Sequence, residues 1–175
     1  VDIFFVISGY VITASLSNRE SKDFLDFITG FYERRIKRLF PALISFLIPT
    51  VFLICFFNPD SRLALRTAMS SIFGLSNLYL LHHSNDYFAQ STELNPFTHT
   101  WTLAVEEQFY FIFPFIIWIT GFGRKDKNGT RNLLFTLTIF FILSLKSFCI
   151  ISRADEMYAY YLMPTRFWEM ASGSL

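Results

Sequence analysis

Apolar residues along this chain gather into long runs divided by short charged stretches. Runs over 39–57, 103–122 and 133–151 approach the roughly 20 residues a helix needs to cross a bilayer. A run over 3–16 is apolar but short, with a small-residue notch at Ser8-Gly9 of the kind that lets helices approach closely in lipid. Strands of alternating polarity, which a barrel requires, are not apparent. Only helices and closed barrels satisfy their backbone in a membrane, so the pattern predicts an all-α, polytopic transmembrane helical bundle.

The polar stretches refine this outline. Residues 17–23 break the first helix. Phe24, Phe27, Phe31 and Tyr32 then alternate with charge and lead into Glu33-Arg34-Arg35-Ile36-Lys37-Arg38, the pattern of an interfacial helix feeding the span at 39–57. Pro41 fits the first turn of that span and Pro49 should kink it. Residues 64–81 mix Arg66, Ser70, Ser71, Ser76 and Asn77 among Leu and Phe, and 82–100 is a polar, turn-rich loop. Gly121 to Arg131 form a basic turn, Tyr158 to Tyr161 an aromatic belt, and Met163 to Gly173 open a last helix. The positive-inside rule places 19–38 and 124–131 on one cytoplasmic side. Residues 64–81 are then re-entrant or packed at the outer face, unless one basic loop lies outside.

Composition agrees: of 175 residues, 53% are hydrophobic and 19% aromatic, with a mean hydropathy of +0.39. The net charge of +1 discriminates little, and nucleic acid is not an expected partner. Cys55 and Cys149 lie in apolar runs and read as small buried hydrophobes rather than a disulfide or metal pair. His82, His83 and His99 lack metal-ligand spacing, so no metal site is expected. Asn128-Gly129-Thr130 matches a glycosylation sequon, a short pattern that commonly arises by chance. Both ends fall inside apolar runs, so the chain reads as a fragment of a longer protein.

Three groups of residues could carry chemistry. On a helix, His99, Leu103, Glu106 and Tyr110 form one stripe, with Glu107 about a quarter-turn away. A carboxylate carried into lipid costs about 2.5–3.5 kcal/mol even on the lenient scale and is a functional candidate by default; at headgroup level both Glu residues would simply be solvated. Arg34 and Arg38, four apart, present guanidinium groups to one side. They set topology, bind anionic headgroups, or grip phosphate as bidentate forks. Arg166 and Glu169, three apart, form a structural ion pair or line the same polar cavity as Glu106. Lys146 is the one charge in its run and snorkels or pairs within the bundle.

Five blocks in order resemble the membrane-bound acyltransferase 3 family, including O-acetyltransferases of O-antigen, peptidoglycan and other surface glycans. They are 1–12 (VDIFFVISGYVI), 31–41 (FYERRIKRLFP), 76–79 (SNLY), 99–110 (HTWTLAVEEQFY) and 162–169 (LMPTRFWE). The resemblance implies a partial acyltransferase 3 transmembrane domain over 1–175, truncated at both ends, in a multi-pass protein of the inner (plasma) membrane. It implies transfer of an acyl group, usually acetyl from acetyl-CoA as a co-substrate with no tightly bound cofactor, to a glycan or lipid-linked glycan hydroxyl. Membrane lipids are the remaining partner. By analogy Arg34, Arg35 and Arg38 face the CoA phosphates, and Glu106 and His99 are catalytic. Trp101, Tyr110, Arg166 and Glu169 line the cavity. The principal His of the family belongs to a helix before Val1 and is absent from this sequence, so the fragment alone should be inactive. Thr102 stands where many members have Ser, and keeps the hydroxyl. The other readings are a transporter or flippase of lipid-linked glycans using Lys146, Glu106 and Arg166 as buried charges, and a non-catalytic membrane scaffold or sensor.

Overall fold

The computed structural model describes residues 1–17, 23–58, 61–83 and 95–175. Of the described residues 85% are helical, and none lies in a strand. Among the described residues eight helices follow in chain order: α1 (Asp2–Ser17), α2 (Phe24–Phe57), α3 (Arg62–Ile72), α4 (Ser76–His83), α5 (Thr100–Ile119), α6 (Gly129–Ala154), α7 (Glu156–Tyr161) and α8 (Met163–Ser174). Three of them, α2, α5 and α6, are long and apolar enough to cross a membrane. The all-α membrane bundle expected from the apolar runs is the fold observed, and the protein is a membrane protein.

One boundary differs in kind. The interfacial helix and the span expected as separate pieces are one continuous 34-residue helix, α2. The aromatic and basic stretch has no break before Leu39, and Pro41 falls deep inside the helix rather than in its first turn. The break expected at 17–23 and most of the 82–100 loop lie outside the described residues.

Ring and hydrogen-bond contacts fix how the long helices run. Phe24 packs on Phe115 and Trp118 of α5, Tyr32 donates to the Phe111 carbonyl at 3.0 Å, and Phe46 meets Phe97 edge-on. α2 and α5 are therefore antiparallel neighbours. α6 returns from the end of α5 through a tight turn in which Gly121 adopts φ 82 and Asn132 donates to the Thr120 carbonyl. α1 runs parallel to both α5 and α8: Phe5 meets Trp101, and Gly9 lies against the Met170 backbone. The start of α2, the end of α5 and the turn into α6 thus share one end of the bundle, as the two basic stretches were expected to do.

The Ser8-Gly9 notch works as the small-residue rule predicts. Gly9 meets the backbone carbonyl of Met170, Gly173 meets that of Val6, and Ser174 donates to the Gly9 carbonyl at 3.1 Å. The main core gathers Phe5, Phe27, Phe31, Trp101, Phe109 and Phe113 among others, and a smaller cluster sets α3 against Leu43, Leu47 and Phe97.

Residues 64–81 form two short helices broken at Phe73-Gly74-Leu75, where Gly74 has φ 65. At 11 and 8 residues, neither reaches the length of a span. α3 advances beside the start of α5: Asn95 donates to Thr67 at 2.8 Å, Ser71 and Thr100 share a 2.6 Å hydrogen bond, and Gly74 arrives at Gln108. The chain then turns back into α4.

Three further expectations need correcting. Cys55 and Cys149 are free but exposed, because each points from the outward face of its helix. Lys146 is likewise exposed on α6, which removes pairing within the bundle and leaves the snorkelling alternative. In the aromatic belt, Tyr158 and Tyr160 are exposed while Tyr161 is buried against Trp101.

Candidate active site

The Glu106-Glu107-Gln108 turn of α5 faces α1 on one side and the α3–α4 break on another, because successive residues on a helix point about 100° apart. Glu106 is 3% exposed and faces α1, where the Ser8 hydroxyl donates to its Oε1. Tyr110, one turn on, is a second hydrogen-bond partner, and the charges of Arg35 and Arg38 act on the carboxylate from α2. Gln108 reaches the helix break: its Nε2 donates to the Gly74 carbonyl at 2.9 Å and to Asn77 Oδ1 at 2.8 Å. Asn77 in turn donates to the Tyr161 carbonyl at 2.9 Å, tying α4, α5 and α7 together. Glu107 lies between, against Gly74.

The guanidinium that turns inward is Arg35. Its Cζ sits 5.1 Å from the Tyr110 ring centre and 5.7 Å from that of Phe31, within cation–π range. Arg34 and Arg38 are exposed. The i, i+4 spacing did put Arg34 and Arg38 on a common side, but burial of Phe27 and Phe31 rotates α2 so that Arg35 leads. That stripe, Phe27-Phe31-Arg35, was the signal in the sequence that singles out Arg35. Beside it opens a cavity of about 210 Å³ lined by Tyr32, Arg35, Leu39, Glu107, Tyr110 and Phe111 among others.

The other candidate residues fall elsewhere. His99 is the exposed N-cap residue of α5, about 10 Å along the axis from Glu106 at 1.5 Å per residue. The expected His99–Glu106 stripe therefore does not bring the two groups together. Trp101 is a core residue, packed on Phe5, Tyr160 and Tyr161. Arg166 donates to Asp2 at 2.7 Å, lies 2.9 Å from Glu169 Oε1, and covers the rings of Phe5 and Tyr160. Arg166 and Glu169 are thus the structural ion pair, extended by Asp2, and they knit α8 to α1 rather than line the cavity beside Arg35. Tyr110 does line that cavity. Among the described residues no cluster of His, Cys, Asp and Glu could hold a metal ion. Ser8, Glu107, Gln108 and Asn77 were not singled out as site residues from the sequence. Only the three-dimensional meeting of α1, α4 and α5 makes them part of it.

The family model of the acyltransferase domain (Acyl_transf_3) matches residues 1–175. The chain belongs to this acyltransferase family. It is 37% identical over 185 residues to an uncharacterized protein of Haemophilus influenzae, covering 100% of this chain and 72% of that one. It is 34% identical over 178 residues to the O-acetyltransferase OatA of Staphylococcus aureus, covering 100% of this chain and 29% of OatA. The chain thus spans less than a third of OatA. No solved structure matches it. Within the acyltransferase family frame, the Glu106 cluster is the polar centre of the bundle. The transport reading loses one of its three buried charges, since Lys146 is exposed.

Proposed function

We propose that residues 1–175 are part of the membrane domain of an O-acyltransferase that moves an acetyl group from acetyl-CoA to a hydroxyl of a cell-surface glycan. The observation that carries this reading is the buried Glu106 carboxylate, held by Ser8 and Tyr110 and faced by Arg35 beside an open cavity. Family membership and the resemblance to OatA, an O-acetyltransferase, supply the reaction class. The bundle belongs to a multi-pass protein of the plasma membrane, with the basic turn at 124–131 and the start of α2 on the cytoplasmic side.

The reaction has plain requirements. The acceptor oxygen attacks the thioester carbonyl, the new C–O bond forms as the C–S bond breaks, and the hydroxyl proton passes to a base and then to the departing thiolate. Arg35, with Arg34 and Arg38 at the rim, would grip the CoA phosphates through charge-assisted hydrogen bonds. Glu106 would orient the imidazole that the family resemblance places on a helix before Val1, or take the proton itself. His99, at the far end of α5, would lie toward the acceptor. General-base catalysis of this kind contributes about 10²–10⁴-fold. Glu106→Gln in the full-length protein should therefore cut glycan acetylation, read by mass spectrometry of the cell-surface polymer, by about 100-fold or more. Undiminished acetylation removes Glu106 from the mechanism.

A further inference from the structure

A second cavity, of about 600 Å³, opens on the other side of Glu107 from the Arg35 cavity. Its walls are Phe73, Gly74 and Leu75 from the α3–α4 break, Gln108 and Phe111 from α5, and the start of α8 at Met163-Pro164. Glu107 and Phe111 line both cavities and form the partition between them. The volume lies within the usual range of ligand pockets, whereas the Arg35 cavity is small enough to take only part of a ligand.

The polar groups of the larger cavity are unequal. The Gln108 amide is committed, donating to the Gly74 carbonyl and to Asn77 and accepting from Asn77 at 3.4 Å. The Pro164 carbonyl already accepts from Ser144 at 2.6 Å. Glu107 receives no hydrogen bond and makes no ion pair with any described residue; the charge it senses is Glu106, which repels it. A half-buried carboxylate with four acceptor sites, no protein donor and oxygens not sealed inside the packed core is free to accept from a ligand. Gly74 is shaped around it, since a methyl group built there would fall 2.5 Å from Glu107 Oε2 and 3.3 Å from its Cβ. Arg35 lies in the other cavity, so the larger one contains no cation among its lining residues and suits a neutral, donor-rich group rather than a phosphate.

We infer that Glu107 is the acceptor-binding residue: its carboxylate receives hydrogen bonds from the hydroxyl groups of a sugar seated in the larger cavity, on the far side of the partition from the CoA end. This rests on the acyltransferase reading above and names the substrate group that Glu107 would hold. An O–H donor to an ionised carboxylate is among the shorter and stronger hydrogen bonds, and the partition position brings that hydroxyl next to the donor cavity.

The test uses full-length protein in proteoliposomes, with radiolabelled acetyl-CoA and chitopentaose as the sugar. Glu107→Gln preserves shape and removes the charge, so KM for chitopentaose should rise about tenfold or more while KM for acetyl-CoA stays within about twofold. Glu107→Asp should fall between the two. An unchanged KM for chitopentaose, or an equal rise in both constants, overturns the assignment. Gly74→Ala is the second variant, pressing on the carboxylate from the opposite side, and should raise the same constant selectively. If wild-type protein transfers acetyl to no sugar, the acyltransferase reading fails and this inference falls with it. Transfer by wild type with an indifferent Glu107→Gln sinks this inference alone.

Discussion

Replacing Arg166 by Ala should destabilise the bundle more than any other single change of a charged residue outside the Glu106 cluster. Its guanidinium is buried, with the side chain 6% exposed, and it bridges Glu169, 0% exposed, and Asp2, 67% exposed. The two partners are not equivalent. Neither Glu169 oxygen accepts a hydrogen bond from a described residue, so the ion pair with Arg166 is what compensates its charge. Removing one member of a buried pair costs about 3–5 kcal/mol, because the other charge is left without a counterpart. The exposed Asp2 contact should contribute under about 1 kcal/mol. At about 2–4 °C per kcal/mol for a domain of this size, Arg166→Ala should lower Tm by about 6–20 °C. Asp2→Asn should lower it by no more than about 4 °C. Thermal unfolding of full-length protein in detergent, followed by tryptophan fluorescence, reads both. The double variant Arg166→Leu with Glu169→Leu should recover at least half of the loss, since it leaves no buried charge behind. A Tm drop below about 2 °C for Arg166→Ala, or a double variant no better than the single one, would refute this account.

Gly9→Ala and Gly173→Ala should each cost about 1–3 kcal/mol in the same assay, because the added methyl meets a backbone carbonyl that cannot move without parting α1 from α8. Ala at the half-buried Gly30 of α2, away from the α1–α8 contact, is the control and should leave Tm unchanged or raised. Cys55→Ala and Cys149→Ala should each change stability by less than about 0.5 kcal/mol in the same assay, since both thiols point from the outward faces of their helices; a loss above about 2 kcal/mol for either would contradict that placement.

Much of the bundle was legible in the sequence because lipid leaves the backbone so few choices. Long apolar runs gave α2, α5 and α6, and the Ser8-Gly9 notch marked the tight face of α1. The Arg166–Glu169 spacing already offered the ion pair. What spacing could not supply was rotation and depth. It grouped Arg34 with Arg38 but could not say that packing of Phe27 and Phe31 turns Arg35 inward instead. It set Glu106 apart from Glu107 but could not show that Gly74, thirty-odd residues earlier, makes room for the second carboxylate. The cysteines went wrong for the same reason. An apolar run locates a residue in a span without saying whether it faces protein or lipid.

The register of α2 against α5 bears on how the site is solvated. Phe24 sits beside Trp118 and Phe46 beside Phe97, so Arg35 comes level with Tyr110, about 14 Å from the end of α5. The apolar parts of the two helices are therefore offset along the bundle. A hydrocarbon slab drawn over 103–119 of α5 also encloses Arg34, Arg35, Lys37 and Arg38, whereas one drawn over 39–57 of α2 leaves the Trp118 end of α5 outside. No flat slab serves both helices without engulfing charge or exposing aromatic rings. The cheaper solution is a basic groove open to water that reaches inward along Arg35 to Glu107 and Tyr110, which line the cavity there. Water then reaches the Arg35 guanidinium without crossing lipid, and the offset becomes part of the site rather than a defect in the bundle.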